Sequence, residues 1–170
     1  MSVSRSLATS TLPVALRPVA DGTDEALADE VAAVVRAEQF AGLDPTLVQT
    51  LTDFQVRAQR SAYRDARPHS RDGLIERDGV PVGRCWVDRS GADVHVLDLA
   101  VLPQQRRAGV ARQVLADLQA EAATHRQRVT LAVREENEAA RALYRGLGFT
   151  VAGGADGVLE LAWEPESGDE

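Results

Sequence analysis

Apolar positions along this chain change their period more than once, and each change marks where one kind of element gives way to another. Leu12–Val19 alternates loosely and carries Pro13 and Pro18. That pattern predicts a first strand at a sheet edge, where a missing N–H is tolerated. From Asp24 to Ala41 the spacing becomes helical, with Leu27, Val31, Val34 and Val35 as the apolar set. Asp24, Glu25, Asp29 and Glu30 crowd the positive amino end, and Gly42 suits a left-handed stop. Asp44-Pro45 predicts an immediate restart, a capping carboxylate followed by proline in the first turn. This second helix should run to about Ala66, with Leu47, Leu51, Phe54 and Ala58 inward, and end at Pro68.

From Arg71 the period is that of strands. Leu74-Ile75-Glu76 leads into the turn Arg77-Asp78-Gly79, and Val80–Val87 returns. After Ser90-Gly91-Ala92, Asp93–Val101 is the longest strand, and Leu99-Ala100-Val101 breaks its alternation. A bulge there would re-aim the strand; an ordinary buried strand end would look the same. Val110, Ala111, Val114, Leu115, Leu118 and Ala122 then stripe a helix that ends near His125, and Arg128–Val133 is the return strand. Strand, helix, strand in that order requires a parallel pair. A last helix, Glu138–Leu147, stops at Gly148, and Phe149–Ala152 and Val158–Trp163 form a hairpin around residues 153–157. The sum is an α/β domain, a mixed sheet of about seven strands with helices on both faces.

At 170 residues, 44% of them apolar, the chain can fill one core and is not a disordered polymer. We expect one domain over residues 12–163, a polar, disordered leader over 1–11 and a frayed acidic tail over 164–170. The leader lacks the apolar block of a secretory signal, and no apolar run approaches the ~20 residues of a membrane span, so the cytoplasm is the expected location. Nineteen basic and 26 acidic residues leave a net charge of −7, which disfavours nucleic acid and anionic membranes as partners. The single Cys85 excludes an internal disulfide and suits a packed thiol. The three histidines show no metal-ligand spacing, so no metal is expected.

One segment carries chemistry. The turn Gln104–Gly109 connects a strand to a striped helix, and the first N–H groups of a helix have no partner within it. Gly109 and Ala111 leave the backbone open to an anion, and Arg106, Arg107 and Arg112 supply charge. Small residues at a helix start also occur in ordinary loops, so the pattern alone leaves the anion site open.

Here the sequence resembles the GNAT-type N-acetyltransferases, which use acetyl-coenzyme A. Arg106-Arg107-Ala108-Gly109-Val110-Ala111 follows Leu99-Ala100-Val101-Leu102-Pro103 and is similar to the family's Gln/Arg-x-x-Gly-x-Gly/Ala signature. Its last position is alanine where glycine is commoner. The stretch from Asn137 to Phe149, with Ala140, Leu143, Tyr144 and Gly148 between, is similar to a second signature one helix and one strand later.

The resemblance implies transfer of acetyl from acetyl-coenzyme A to a small-molecule amine or a protein amino group, across a splayed central strand pair. It assigns the pyrophosphate to the amides of Arg106, Arg107, Ala108, Gly109, Val110 and Ala111, with Arg112 nearby. The pantetheine arm and thioester carbonyl fall to a bulged end at Leu99–Val101, with the Val101 N–H at the carbonyl. Asn137 bonds the arm or caps the last helix; Tyr144 faces the leaving thiolate or is a core tyrosine. Asp98 is the candidate base, with Asp93, His95 and Glu76 behind it; alternation puts His95 on the face opposite Asp98 unless a bulge intervenes. Asp44, Asp53, Glu38 and Asp156 would draw a cationic acceptor. A homodimer is left open, and the alternative function is a non-catalytic coenzyme A-binding module.

Overall fold

The computed structural model describes residues 13–166, which leaves Leu12, the leader and residues 167–170 outside the described residues. The elements are strand β1 (Val14–Pro18), helices α1 (Gly22–Ala37) and α2 (Pro45–Ala66), and strands β2 (Arg71–Arg77), β3 (Val80–Asp88) and β4 (Val94–Val101). Helix α3 (Val110–Thr124), strand β5 (Val129–Arg134), helix α4 (Glu138–Gly146) and strands β6 (Thr150–Ala155) and β7 (Val158–Trp163) follow. One mixed sheet has the order β1-β2-β3-β4-β5-β7-β6. Every neighbouring pair is antiparallel except β4 and β5, which the α3 crossover makes parallel. As expected from its prolines, β1 lies on an edge.

Local chemistry explains most boundaries. Asp21 caps α1 by accepting from the Thr23 and Asp24 amides, and Asp44 does the same for α2 through Thr46 and Leu47. Asp78-Gly79 and Asp156-Gly157 each take two successive positive φ angles, the geometry of a tight hairpin turn whose twist matches its strands. The second of these corrects the expected loop 153–157. Gly153 and Gly154 belong to β6, which shifts register between Val151 and Gly153. A Cβ on Gly154 would stand 2.6 Å from the Val158 carbonyl oxygen, so close pairing there needs glycine.

The core fills the space between the sheet and α3 and α4. Val94, Val96, Val129 and Leu131 meet Val110, Val114, Leu115 and Leu118, with Tyr144 and Phe149 closing one end. Each such side chain contributes about 1.5–3 kcal/mol on burial.

Helices α1 and α2 cover the opposite face, and there the apolar stripes expected from sequence are corrected. Ala28, Val31 and Ala32 are the buried positions of α1; Leu27 and Val34 are exposed. In α2 the sheet-facing positions are Thr52, Val56 and Arg60, while Leu47 and Phe54 point outward, Phe54 at 67% exposure. The sheet beneath is polar: Arg84 is wholly buried and grips Asp72 through two hydrogen bonds of 2.8 and 2.9 Å. Trp86 lies under the guanidinium groups of Arg84 and Arg60, with Tyr63 against its edge. A buried arginine needs a carboxylate, so α2 turns Arg60 inward to Asp29 and gives up apolar burial to do it.

Gly83 on β3 lets the strand pass close to β4: a Cβ there would stand 2.5 Å from the Ala100 carbonyl oxygen. Gly83→Ala should therefore destabilise the fold by about 1–3 kcal/mol. A thermal melt checks this, and an unchanged Tm would show that the strands separate freely at that point.

Candidate active site at the strand splay

Strands β4 and β5 are paired only from Val94–Val96 against Val129–Leu131. Beyond that point they part, leaving the last five residues of β4, 97–101, without a neighbour on that side. On the other side β3 stays paired to Gly83↔Val101, with one register shift, because Trp86 faces Asp98 and Val87 faces Val96. Leu97 is thus the extra residue of a bulge. The expectation of a bulge at Leu99–Val101 is corrected: the strand is re-aimed two residues earlier, and Asp98–Val101 run regularly along β3.

Two consequences follow. The Leu102 N–H donates to the Val82 carbonyl at 2.9 Å, so antiparallel alternation turns the N–H groups of Leu99 and Val101 away from β3, toward the splay. The bulge also reverses the expectation for His95. Asp88 and Trp86 are two residues apart on β3, hence on one face, and their partners His95 and Asp98 share that face. His95 is nonetheless engaged with Thr130, Nδ1 to Oγ1 2.8 Å, and burial lowers its pKa.

At the front of α3, Gly109 caps the helix in a left-handed conformation, φ 79°, with no side-chain cap. Arg107 also has positive φ, 61°. The Arg106 N–H is spent on Pro103, so the free run starts one residue later than expected. The amides of Arg107 to Arg112 find no acceptor among the described residues, and the first helical bond is Gln113 N–H to Gly109 C=O. Six consecutive orphan donors at the positive end of a helix form a candidate cradle of the kind that can hold an anion. Of the three arginines expected beside it, Arg106 is engaged: its guanidinium forks onto Glu38 at 2.8 and 3.1 Å and its Nε reaches the Val101 carbonyl at 3.3 Å. Arg107 and Arg112 have no carboxylate partner among the described residues.

Tyr144 is buried to 9% exposure, edge-on to Phe149, and its hydroxyl has no hydrogen-bond partner among the described residues. Burial, with Cys85 and Asp98 adding to it, pushes its phenol up to about 12. The Cys85 thiol is also buried and pushed well above its usual range, which makes it inert packing. Asn137 acts as the cap of α4, accepting from the Ala140 N–H at 3.1 Å.

Asp98 is half-buried. Burial pushes its carboxyl above the ordinary carboxylate range; Arg84 and Arg36 pull it back, Asp72 pushes it further up, and the Leu99 amide pulls it down. The other candidate bases are occupied elsewhere. Glu76 binds Arg17, and Asp93 binds Arg128. Of the acids expected to attract a cation, Glu38 is held by Arg106 and Asp44 by the start of α2, while Asp156 sits in the last hairpin turn.

Over residues 36–149 the sequence matches the family model described as acetyltransferase (GNAT) family. The chain belongs to that family. No curated protein matches it in sequence. Among solved structures similar to this GNAT chain is the PaiA N-acetyltransferase of Thermoplasma acidophilum in complex with coenzyme A: TM-score 0.69, 12% identity, covering 90% of this chain and 99% of that one. An acetyltransferase from Thermus thermophilus gives 0.66 at 22% identity over 91% and 98%. The ribosomal-protein-S18-alanine N-acetyltransferase of Escherichia coli gives 0.58 at 21% over 92% and 97%. At such identities the likeness speaks for the fold.

At this candidate site the sequence gives no sign of Arg77 and does not show the partner of Gln59 and Tyr63. Arg77, at the end of β2, braces the cradle from behind by donating to the Ala108 carbonyl (3.1 Å) and to Gln105 (3.3 Å). Tyr63 donates to the carbonyl of the bulge residue Leu97 at 3.0 Å, and Gln59 donates to the Tyr63 hydroxyl at 2.7 Å. The spacing of Gln59 and Tyr63, four apart on a helix, was a visible signal for that pair; nothing in the sequence tied either of them to Leu97. A cavity of about 760 Å³ lies between α1 and α2, and residues 97–101 do not line it.

Proposed function

We propose that this chain transfers the acetyl group of acetyl-coenzyme A to a primary amine by direct attack in a ternary complex. The observation that carries the reading is the run of unpaired amides from Arg107 to Arg112 beside a sheet that opens at Leu97. Those donors fit a pyrophosphate, and a Cβ at Gly109 would meet nothing within 4 Å, so the turn stands open to a ligand.

When bound, acetyl-coenzyme A supplies the thioester: a C–N bond forms to the amine, the C–S bond breaks, and an acetamide and a free thiol result. The chain's own groups do the rest. The amides of Arg107 to Arg112, helped by the guanidinium groups of Arg107 and Arg112, hold the phosphates. The N–H groups of Leu99 and Val101 line the splay, where Val101 meets the negative charge that develops on the carbonyl oxygen. Asp98 takes the amine proton, directly or through water. Its burial-raised pKa brings it nearer to neutrality, which suits a base. Tyr144 donates a hydrogen bond to the departing sulfur. A phenol at about 12 is a far weaker acid than a thiol near about 8.5, so it stabilises the thiolate while water supplies the final proton. Asn137 sets the start of α4 and with it the position of Tyr144.

Calorimetry with acetyl-coenzyme A, followed by thiol release with an amine panel, tests this. Binding with amine-dependent release is expected. Binding without turnover would leave a non-catalytic coenzyme A-binding module, and no binding would remove both readings. Tyr144→Phe should lower kcat by about tenfold to a hundredfold with cofactor affinity unchanged. Equal loss of both would make Tyr144 a core residue only.

A further inference from the structure

The sheet face under α1 and α2 carries three inward arginines, and two of them are neutralised. Arg84 is paired with Asp72, and Arg60 with Asp29 and Glu25. Arg36, in the last turn of α1, is different. No carboxylate lies within 4.0 Å of it among the described residues. One of its terminal nitrogens donates to the neutral Gln59 side chain, and its Nε, like one terminal nitrogen each of Arg60 and Arg84, is buried with no hydrogen-bond partner. On α2, one turn before Gln59, the Gln55 Oε1 is also buried and unpartnered. A cation left this way is costly, because burial removes water and nothing replaces it.

These unmet groups are not scattered. Gln55, Gln59 and Tyr63 form one i, i+4 row on α2. Arg36 bonds to Gln59, Gln59 to Tyr63, and Tyr63 to the carbonyl of Leu97, the residue before Asp98. The row therefore runs from a guanidinium with no ion-pair partner to a backbone carbonyl one residue before the carboxylate assigned as the base. That guanidinium and that carboxylate are half-buried, carry opposite charge, and do not form an ion pair with each other. A ligand with an amine at one end and a carboxylate at the other would satisfy both.

We propose that the acceptor is an amine that also carries a carboxylate, the amino-acid class, with Arg36 as the carboxylate ligand and the amine directed to Asp98. This rests on the acetyl-transfer reading and narrows its acceptor. It adds a carboxylate to the cationic amine expected from the acids on the acceptor side, two of which, Glu38 and Asp44, are engaged within the fold. Arg36 here determines specificity through its planar fork, which matches a carboxylate with two parallel hydrogen bonds.

The test is thiol release from acetyl-coenzyme A with matched acceptors: lysine against cadaverine, phenylalanine against phenethylamine, and each amino acid against its carboxamide. The carboxylate member should be preferred in kcat/KM by about tenfold to a hundredfold, the worth of one charged hydrogen-bonded contact. Arg36→Met should erase that preference mainly by raising KM, with acetyl-coenzyme A affinity by calorimetry unchanged. Arg36→Lys should restore part of it. Gln55→Glu, which leaves Arg36 in place, should weaken the same preference by repelling the carboxylate. Equal use of both members of each pair overturns the inference, as does equal loss for both in Arg36→Met, or turnover of amines with none of the amino acids accepted. Failure of acetyl-coenzyme A to bind the unmodified chain would overturn the transfer reading itself, and calorimetry separates that result from the others.

Discussion

Gly109→Val should cut coenzyme A affinity by about a hundredfold to ten-thousandfold while lowering Tm by only a few degrees. The reason is conformational. Gly109 sits at φ 79°, and a β-branched residue in that region costs roughly 1–2 kcal/mol, so the turn relaxes toward negative φ. Relaxation re-aims the amides behind it, and losing two charged amide contacts at about 1.5–3 kcal/mol each accounts for the drop in affinity. The helix behind the turn should persist, because Val110, Val114 and Leu115 remain packed in the core. Gly42→Val is the matched control. It has φ 94°, open space around its Cβ and no part in the cradle, so it should carry the same strain with coenzyme A affinity unchanged. If both variants weaken binding alike, general loosening of the fold is the cause and the cradle assignment fails.

Asp98→Asn should lower kcat by about a hundredfold to ten-thousandfold, the range of a lost general base, with cofactor affinity retained. In the unmodified enzyme kcat/KM should rise with pH through the elevated pKa of Asp98, and the variant should lose that limb. Stability gives an independent readout of opposite sign. Because burial raises the folded pKa of this carboxyl, its ionised form is disfavoured by folding. Stability is then fully present below the ordinary aspartate pKa of about 3.9 and declines as pH rises through the elevated folded value. The neutral asparagine escapes that penalty, so the variant should melt at or above the parent at pH 7, and the difference should vanish near pH 3. A variant that melts lower at pH 7 would show the carboxylate to be a structural ion-pair partner of Arg84 or Arg36, and its role as base would be lost.

Both predictions draw on features of different legibility. Gly109 and the cradle could be read from the chain because the property is local. Any helix leaves its first amides unpaired, and glycine before an apolar stripe marks where they point outward. The same holds for the hairpin turn at Asp78-Gly79 and the caps at Asp44 and Asn137, where each residue acts on neighbours within four positions. Asp98 was legible as a candidate only, since its strand could be recognised but its environment could not.

The amino-acid order by itself determined the sequence of elements, the parallel crossover and the place of the unpaired amides at the front of α3, because these follow from hydrophobic period and backbone donors along a few residues. Tertiary structure alone decided which face of α2 is buried. Arg60 turns inward for Asp29, 31 residues away, and that ion pair outweighs the apolar stripe of Leu47 and Phe54. It also decided the bulge at Leu97, which exists only against β3, and left Arg36 without a carboxylate while its neighbours found theirs. Charges and registers of that kind are set by partners far apart in the chain, and no period within one segment encodes them.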